Sequence, residues 1–176
     1  LKAGFSIYGA FNPHSTGIPW NRSNGLTGSI TSPSASSFPL FGLASYFVLD
    51  GNLNIKGKKD IAMFGRIGSS SGSRAETLSI LESLLELGIQ STNMPLEEVL
   101  EMRMADQLEL QAQDIAALAR LVTSNLPLVL ETNRAVDILQ ALELKKKYDL
   151  NLVLSSVEEA PFVIDQLKEY SFLVRK

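Results

Sequence analysis

The chain has 176 residues, 45% of them apolar and 20% charged, which is the composition of a folded domain with enough length to bury a core and excludes a disordered segment. A net charge of −3 gives no electrostatic footprint for nucleic acid or an anionic membrane surface. The absence of cysteine removes disulfides, thiolate metal sites and cysteine nucleophiles together. No apolar run reaches the roughly 20 residues that cross a bilayer. The start at Leu1, with no signal-like apolar core, is expected of a trimmed or processed end, and an exported origin stays open.

Taken in order, residues 14–24 read as a short helix closed by Gly25, and 26–32 as a strand. Residues 32–42, rich in serine and holding Pro33 and Pro39, read as a flexible loop. Residues 44–49 read as a strand ended by the Asp50-Gly51 turn. A polar, exposed stretch follows over 52–59, then a strand over 61–67 and a Gly/Ser stretch over 68–72. Residues 74–87 carry Leu78, Leu81, Leu84 and Leu85 at helical spacing. Two further helices are expected over 95–104 and 111–122.

The last third is more regular. A short apolar strand is expected over 126–130, a helix over 135–148, a strand over 152–154, a helix over 158–170 with Pro161 in its first turn, and a strand over 172–174. Apolar strands separated by amphipathic helices point to a parallel sheet covered by helices. The fold class expected is α/β, with parallel strands alternating with helices, over one domain spanning 1–176.

Few residues carry obvious chemistry. His14 is the only histidine, so neither a Ser-His-Asp triad nor a three-histidine zinc site can be assembled from this chain. Residues 69–73 lack the Lys-Ser/Thr of a phosphate-binding loop, and no nucleophile elbow occurs in the serine-rich segment. Glu131, Asn133, Arg134 and Asp137 are more informative. Glu131 closes an apolar strand, and strand C-terminal ends are where parallel sheets present ligand-binding groups. Asp137 has the competing reading of a helix-start acid, and a helix start alone accounts for Glu158 and Glu159. Lys145–Lys147 end a helix, where cations are favoured. Arg22, Arg66 and Arg74 are open between ligand contact and surface charge.

The run from Leu126 to Leu139, Leu-Pro-Leu-Val-Leu-Glu-Thr-Asn-Arg-Ala-Val-Asp-Ile-Leu, resembles imidazolonepropionase-like members of the amidohydrolase superfamily. There a similar strand carries His-Ala-His-Arg ahead of an Ala-x-Asp-Ile helix start. The stretch from Leu152 to Pro161 resembles the strand that follows it. Phe11-Asn-Pro-His-Ser, Gly25-Leu-Thr, Asp50-Gly51 and Gly72-Ser-Arg-Ala resemble further landmarks of that family, in the same order.

The resemblance implies part of a TIM-like (β/α)8 barrel and metal-dependent, typically zinc-dependent, hydrolysis of C–N bonds in cyclic or peptide-like amides. It also implies export as one possible location. The chain departs from the family at the metal ligands. Glu131 and Asn133 stand where the two strand histidines are expected, and Ser156 and Pro161 where the next two are. No cofactor is therefore expected within this chain, and zinc enters by resemblance alone. Glu131 is the one candidate metal ligand; Asn133, Arg134 and Ser156 are candidate substrate contacts.

A closed barrel takes about 250 residues, so the remainder of a barrel or a second subunit is an expected partner, with a small molecule as possible ligand. Three functions are open on this reading. The first is a non-catalytic scaffold or binding domain with a degenerate metal site. The second is an active hydrolase completed from outside these residues. The third is an α/β module that binds a small molecule at its strand ends.

Overall fold

The computed structural model describes residues 1–34, 38–52, 54–68 and 73–171, the last by its backbone. The chain opens with a 3₁₀ turn, Ile7–Ala10, and helix α1, Gly17–Ser23. Three strands follow, β1 at Gly28–Thr31, β2 at Leu40–Val48 and β3 at Gly57–Arg66. Four helices come next, α2 (Arg74–Gln90), α3 (Leu96–Leu100), α4 (Arg103–Gln107) and α5 (Ala112–Thr123). Then come β4 (Leu128–Glu131), α6 (Ala135–Tyr148), β5 (Leu152–Ser155), a 3₁₀ turn at Ala160–Val163 and α7 (Ile164–Ser171).

The five strands form one curled sheet in chain order, the shape of part of a barrel wall. The expectation of parallel strands throughout is corrected by the first three. β1–β2 and β2–β3 pair antiparallel, and only β3–β4 and β4–β5 are parallel. The cause is connection length. Only eight residues separate each of the first three strands from the next, whereas a parallel return needs a crossover of a dozen or more. The β3–β4 crossover contains α2–α5, and the β4–β5 crossover contains α6.

Two boundaries move for local reasons. β2 starts at Leu40, inside the segment expected as loop, because Leu40, Phe41 and Leu43 all bury their side chains. Gly42 makes this possible: its φ is +134°, the pairing register shifts there, and a Cβ would lie 2.5 Å from the Phe5 carbonyl oxygen. β3 starts at Gly57, earlier than its apolar residues indicate, since the exposed Gly57 and Lys58 already pair with Phe47 and Tyr46 of β2. The expected single helix over 158–170 begins as a 3₁₀ turn, with Pro161 in its first positions. The expected strand over 172–174 and the centre of the serine-rich loop, 35–37, lie outside the described residues.

The main core lies between the sheet and the crossover helices. Met63, Leu128 and Leu130 from the strands meet Leu81, Leu84 and Leu85 of α2, Ile115 and Leu118 of α5, and Ala141 and Leu144 of α6. A smaller cluster of Ile138, Leu142 and Val163 ties α6 to α7 and β5. Leu154 of β5 packs against both clusters. Among the described residues, no helix is long and apolar enough to cross a membrane.

Asp114 fastens the N-terminus to this core. It is 2% exposed, accepts the Gly4 N–H at 2.7 Å and closes a capping box by accepting the Gln111 N–H at 3.0 Å. Replacing it with alanine strands both donors. Asp114→Ala is expected to cost about 2 kcal/mol, seen as a lower urea midpoint at unchanged slope. An unchanged midpoint would remove Asp114 from the list of fold-determining residues.

Candidate functional site

The parallel register decides what faces the strand ends. It aligns Arg66, the last residue of β3, with Glu131, the last of β4, and Glu131 with Ser155, the last of β5. Beyond these ends lies an open cleft of about 520 Å³. It is lined by Arg66, Ile67, Gly68 and Arg74 on one side and by Glu131, Asn133, Arg134, Asp137 and Ser156 on the other. All four residues that the sequence placed at the site, Glu131, Asn133, Arg134 and Ser156, are thus brought together.

Glu131 is occupied. Its Oε2 accepts from Arg66 Nε at 2.6 Å and also pairs with Arg66 Nη2. Both side chains are about one-third exposed, so the pair contributes about 1 kcal/mol or less to stability. Its consequence lies in placement: one guanidinium takes Oε2 through both Nε and Nη2.

Asp137 is the second carboxylate, in the first turn of α6, and its residue is 3% exposed. Arg74, the first residue of α2, puts Nη2 3.4 Å from its Oδ2. Burial pushes the Asp137 carboxyl above the usual aspartate range, Arg74 and Arg134 pull it down by their positive charge, and Glu159 pushes it up again. Gly68 allows the close approach, since a Cβ there would stand 3.0 Å from Oδ2 and its φ is +91°. Arg134 is exposed at the N-cap of α6 and makes no ion pair or side-chain hydrogen bond among the described residues.

Glu159 has a role other than the one its position suggested. Its side chain caps α6 by accepting the Ala135 N–H at 2.8 Å, and its own N–H donates to the Asn133 carbonyl at 3.0 Å. The loop after β5 is thereby pinned to the loop after β4. Ser156 lies in this loop with φ +57°, a left-handed conformation that turns the chain sharply off the strand. The Thr132 hydroxyl is buried with no hydrogen-bond partner among the described residues.

The other candidates fall elsewhere. His14 is exposed in the turn before α1 and does not line the cleft. Arg22 donates to the Asp50 carbonyl at 2.8 Å, by the antiparallel hairpin. Lys145 donates to the Leu150 carbonyl at 2.9 Å, closing the end of α6, and Lys147 pairs with Glu82 and Glu86 of α2. Residues 69–72 lie outside the described residues, while Ser73 is the N-cap of α2. The sequence left Arg66 and Arg74 undecided. The signal that finds Arg66 is the one used for Glu131, a charged residue closing an apolar strand.

The donor set does not suit zinc. Zinc takes three or four imidazole, thiolate or carboxylate ligands. Here the lining offers two carboxylates, Glu131 engaged by Arg66 and Asp137 paired with Arg74, beside an amide, a hydroxyl and a third guanidinium. Among the described residues, no group of three or more His, Cys, Asp or Glu side chains could hold a metal ion.

No protein-family model matches the chain, and no curated protein matches it significantly. Among solved structures it is similar to an amidohydrolase from Thermotoga maritima MSB8, with 18% identity and a TM-score of 0.74. The likeness covers 96% of this chain and 46% of that one, so the chain spans about half the length of the neighbour. The fold is amidohydrolase-like. At this identity the likeness carries the fold and leaves the site to be argued from its own residues.

The raised Asp137 pKa has a defined sign in stability. An acid whose folded pKa exceeds its unfolded one holds a proton longer when folded, so stability falls as pH rises through that window. Asp137→Asn removes this loss. The stability difference between variant and wild type is expected to shift in favour of the variant as pH rises from about 3.8, the ordinary aspartate value, through the weakly acidic range. Urea titrations at several pH values measure it; a difference constant with pH would contradict a burial-dominated Asp137.

Proposed function

We propose that the chain forms part of an amidohydrolase-type barrel whose strand-end site has lost its metal chemistry and serves as a small-molecule binding or scaffold domain. The observation that carries this reading is the Arg66–Glu131 pair. At the strand end where the landmark order of imidazolonepropionase-like amidohydrolases calls for a metal-binding histidine, the side chain is a carboxylate already neutralised by an arginine. Asp137 is matched in the same way by Arg74.

A divalent ion entering this cleft would meet three guanidinium groups and would have to displace Arg66 from its partner. Coulomb repulsion between like charges only a few ångströms apart, near a protein surface, is on the order of several kcal/mol each. The two carboxylates of the lining attract the ion in turn, but three guanidinium groups against two carboxylates leave it no net attraction.

The proposed partner is the remainder of the barrel, in the same chain or another subunit. β5 pairs with β4 on one side only among the described residues, and Val153 on it is 46% exposed. An unpaired parallel edge of this kind is normally covered by a further strand.

Metal analysis of the full natural protein tests the central claim. After dialysis against zinc and then buffer, wild type and Glu131→Ala are expected to hold the same sub-stoichiometric amount, and neither is expected to hydrolyse a panel of lactams and peptide amides. Near-stoichiometric zinc that disappears in Glu131→Ala would instead establish a hydrolase completed by ligands from outside these 176 residues.

A further inference from the structure

The cleft at the strand ends has the size of a small-molecule site, which typically encloses 300–1,000 Å³ in order-of-magnitude terms. Its charged groups are not all paired. Three guanidinium groups face two carboxylates. Arg66 is committed to Glu131 and Arg74 to Asp137. Arg134 is left without an ion pair among the described residues, exposed at the N-cap of α6, a helix of 14 residues. A planar guanidinium with free donors is suited to two parallel hydrogen bonds with a carboxylate. The partial positive charge of the helix start acts in the same direction.

We infer that Arg134 is the anchor for the carboxylate of a small monovalent acid bound in this cleft. The inference deepens the metal-free reading of the same site and rests on it. Arg134, which makes no ion pair among the described residues, can take up a single negative charge. A second would be repelled by Glu131 and Asp137 in the lining and by Glu159, whose carboxylate sits on the Ala135 N–H beside Arg134. A phosphate dianion is therefore disfavoured. Asn133 and Ser156 supply an amide and a hydroxyl for the rest of the ligand, while Ile67 is the one large apolar residue of the lining among the described residues. The ligand is accordingly a polar acid bearing hydroxyl or amide groups.

Arg134 is exposed and packs in no core cluster, so its replacement leaves the fold intact, which circular dichroism and the thermal midpoint verify. The probe is lactate, with lactamide as its uncharged counterpart and inorganic phosphate as the dianion. Saturation-transfer NMR and titration calorimetry on the full natural protein read the binding, with and without prior treatment by a chelator. Lactate is expected to bind, lactamide not to bind, and phosphate to bind more weakly than lactate. Arg134→Ala is expected to lower lactate affinity about tenfold or more, and Arg134→Lys to fall between.

Equal binding of lactate and lactamide, tighter binding of phosphate, no binding of lactate, or indifference to Arg134→Ala each overturns the inference. The chelator separates it from the reading it rests on. Lactate binding that survives chelation and depends on Arg134 upholds the anchor even in a protein found to hold zinc. Binding that requires zinc overturns it.

Discussion

The parallel register from β3 through β5 is the constraint on which the site depends. Because Arg66, Glu131 and Ser155 are neighbours across three strand ends, their side chains are delivered by backbone hydrogen bonding and not by the conformation of any loop. Met63 N–H donates to the Pro127 carbonyl at 2.8 Å and Ile67 N–H to the Glu131 carbonyl at 3.0 Å, so the pairing extends past both ends of the named β3–β4 ladder. A slip of one residue would turn Glu131 away from Arg66 and would also expose Leu128 and Leu130, both fully buried. Core burial and site geometry are thus enforced by the same alignment.

The helices hold that register from behind. α2 and α5 pack closely: at Gly88 a Cβ would lie 2.9 Å from the Leu118 carbonyl oxygen, so glycine is what lets the two backbones approach. This layer of leucines fixes the long β3–β4 crossover, which in turn presents Arg74 at the start of α2 beside Asp137 at the start of α6. The two helix starts share one ion pair across the cleft, although 62 residues, mostly crossover, lie between them in sequence. The antiparallel β1–β2–β3 portion instead carries its own apolar surface, where Phe11 stacks on Phe47 with ring centroids 4.2 Å apart.

Much of this was legible in the sequence where periodicity and punctuation agree. α6 runs from Ala135 to Tyr148, as its apolar spacing and the Asp149-Asn151 break indicate, and Asp149 takes a left-handed conformation there. The strand ending at Glu131 and the grouping of Asn133, Arg134 and Ser156 follow from the strand-end rule for parallel sheets. The direction of β1–β3 was not legible, because an apolar alternating run looks the same in a parallel and an antiparallel sheet; the short connections were the available signal. Arg66 and Arg74 stayed undecided between site and surface because partner choice between distant segments is a property of tertiary packing. The start of β2 was hidden by Pro39 and Gly42, which mark a loop in isolation but here mark a bulged strand end.

The capping of α6 by Glu159 makes the two loops beside the cleft mechanically one body. Ser156 and Asn133 sit on segments joined by the Glu159 N–H to the Asn133 carbonyl and by its carboxylate to Ala135. A displacement of the loop after β5 is therefore passed to the first turn of α6, which carries the buried Asp137. The coupling runs through Glu159, a residue that is not among those lining the cleft.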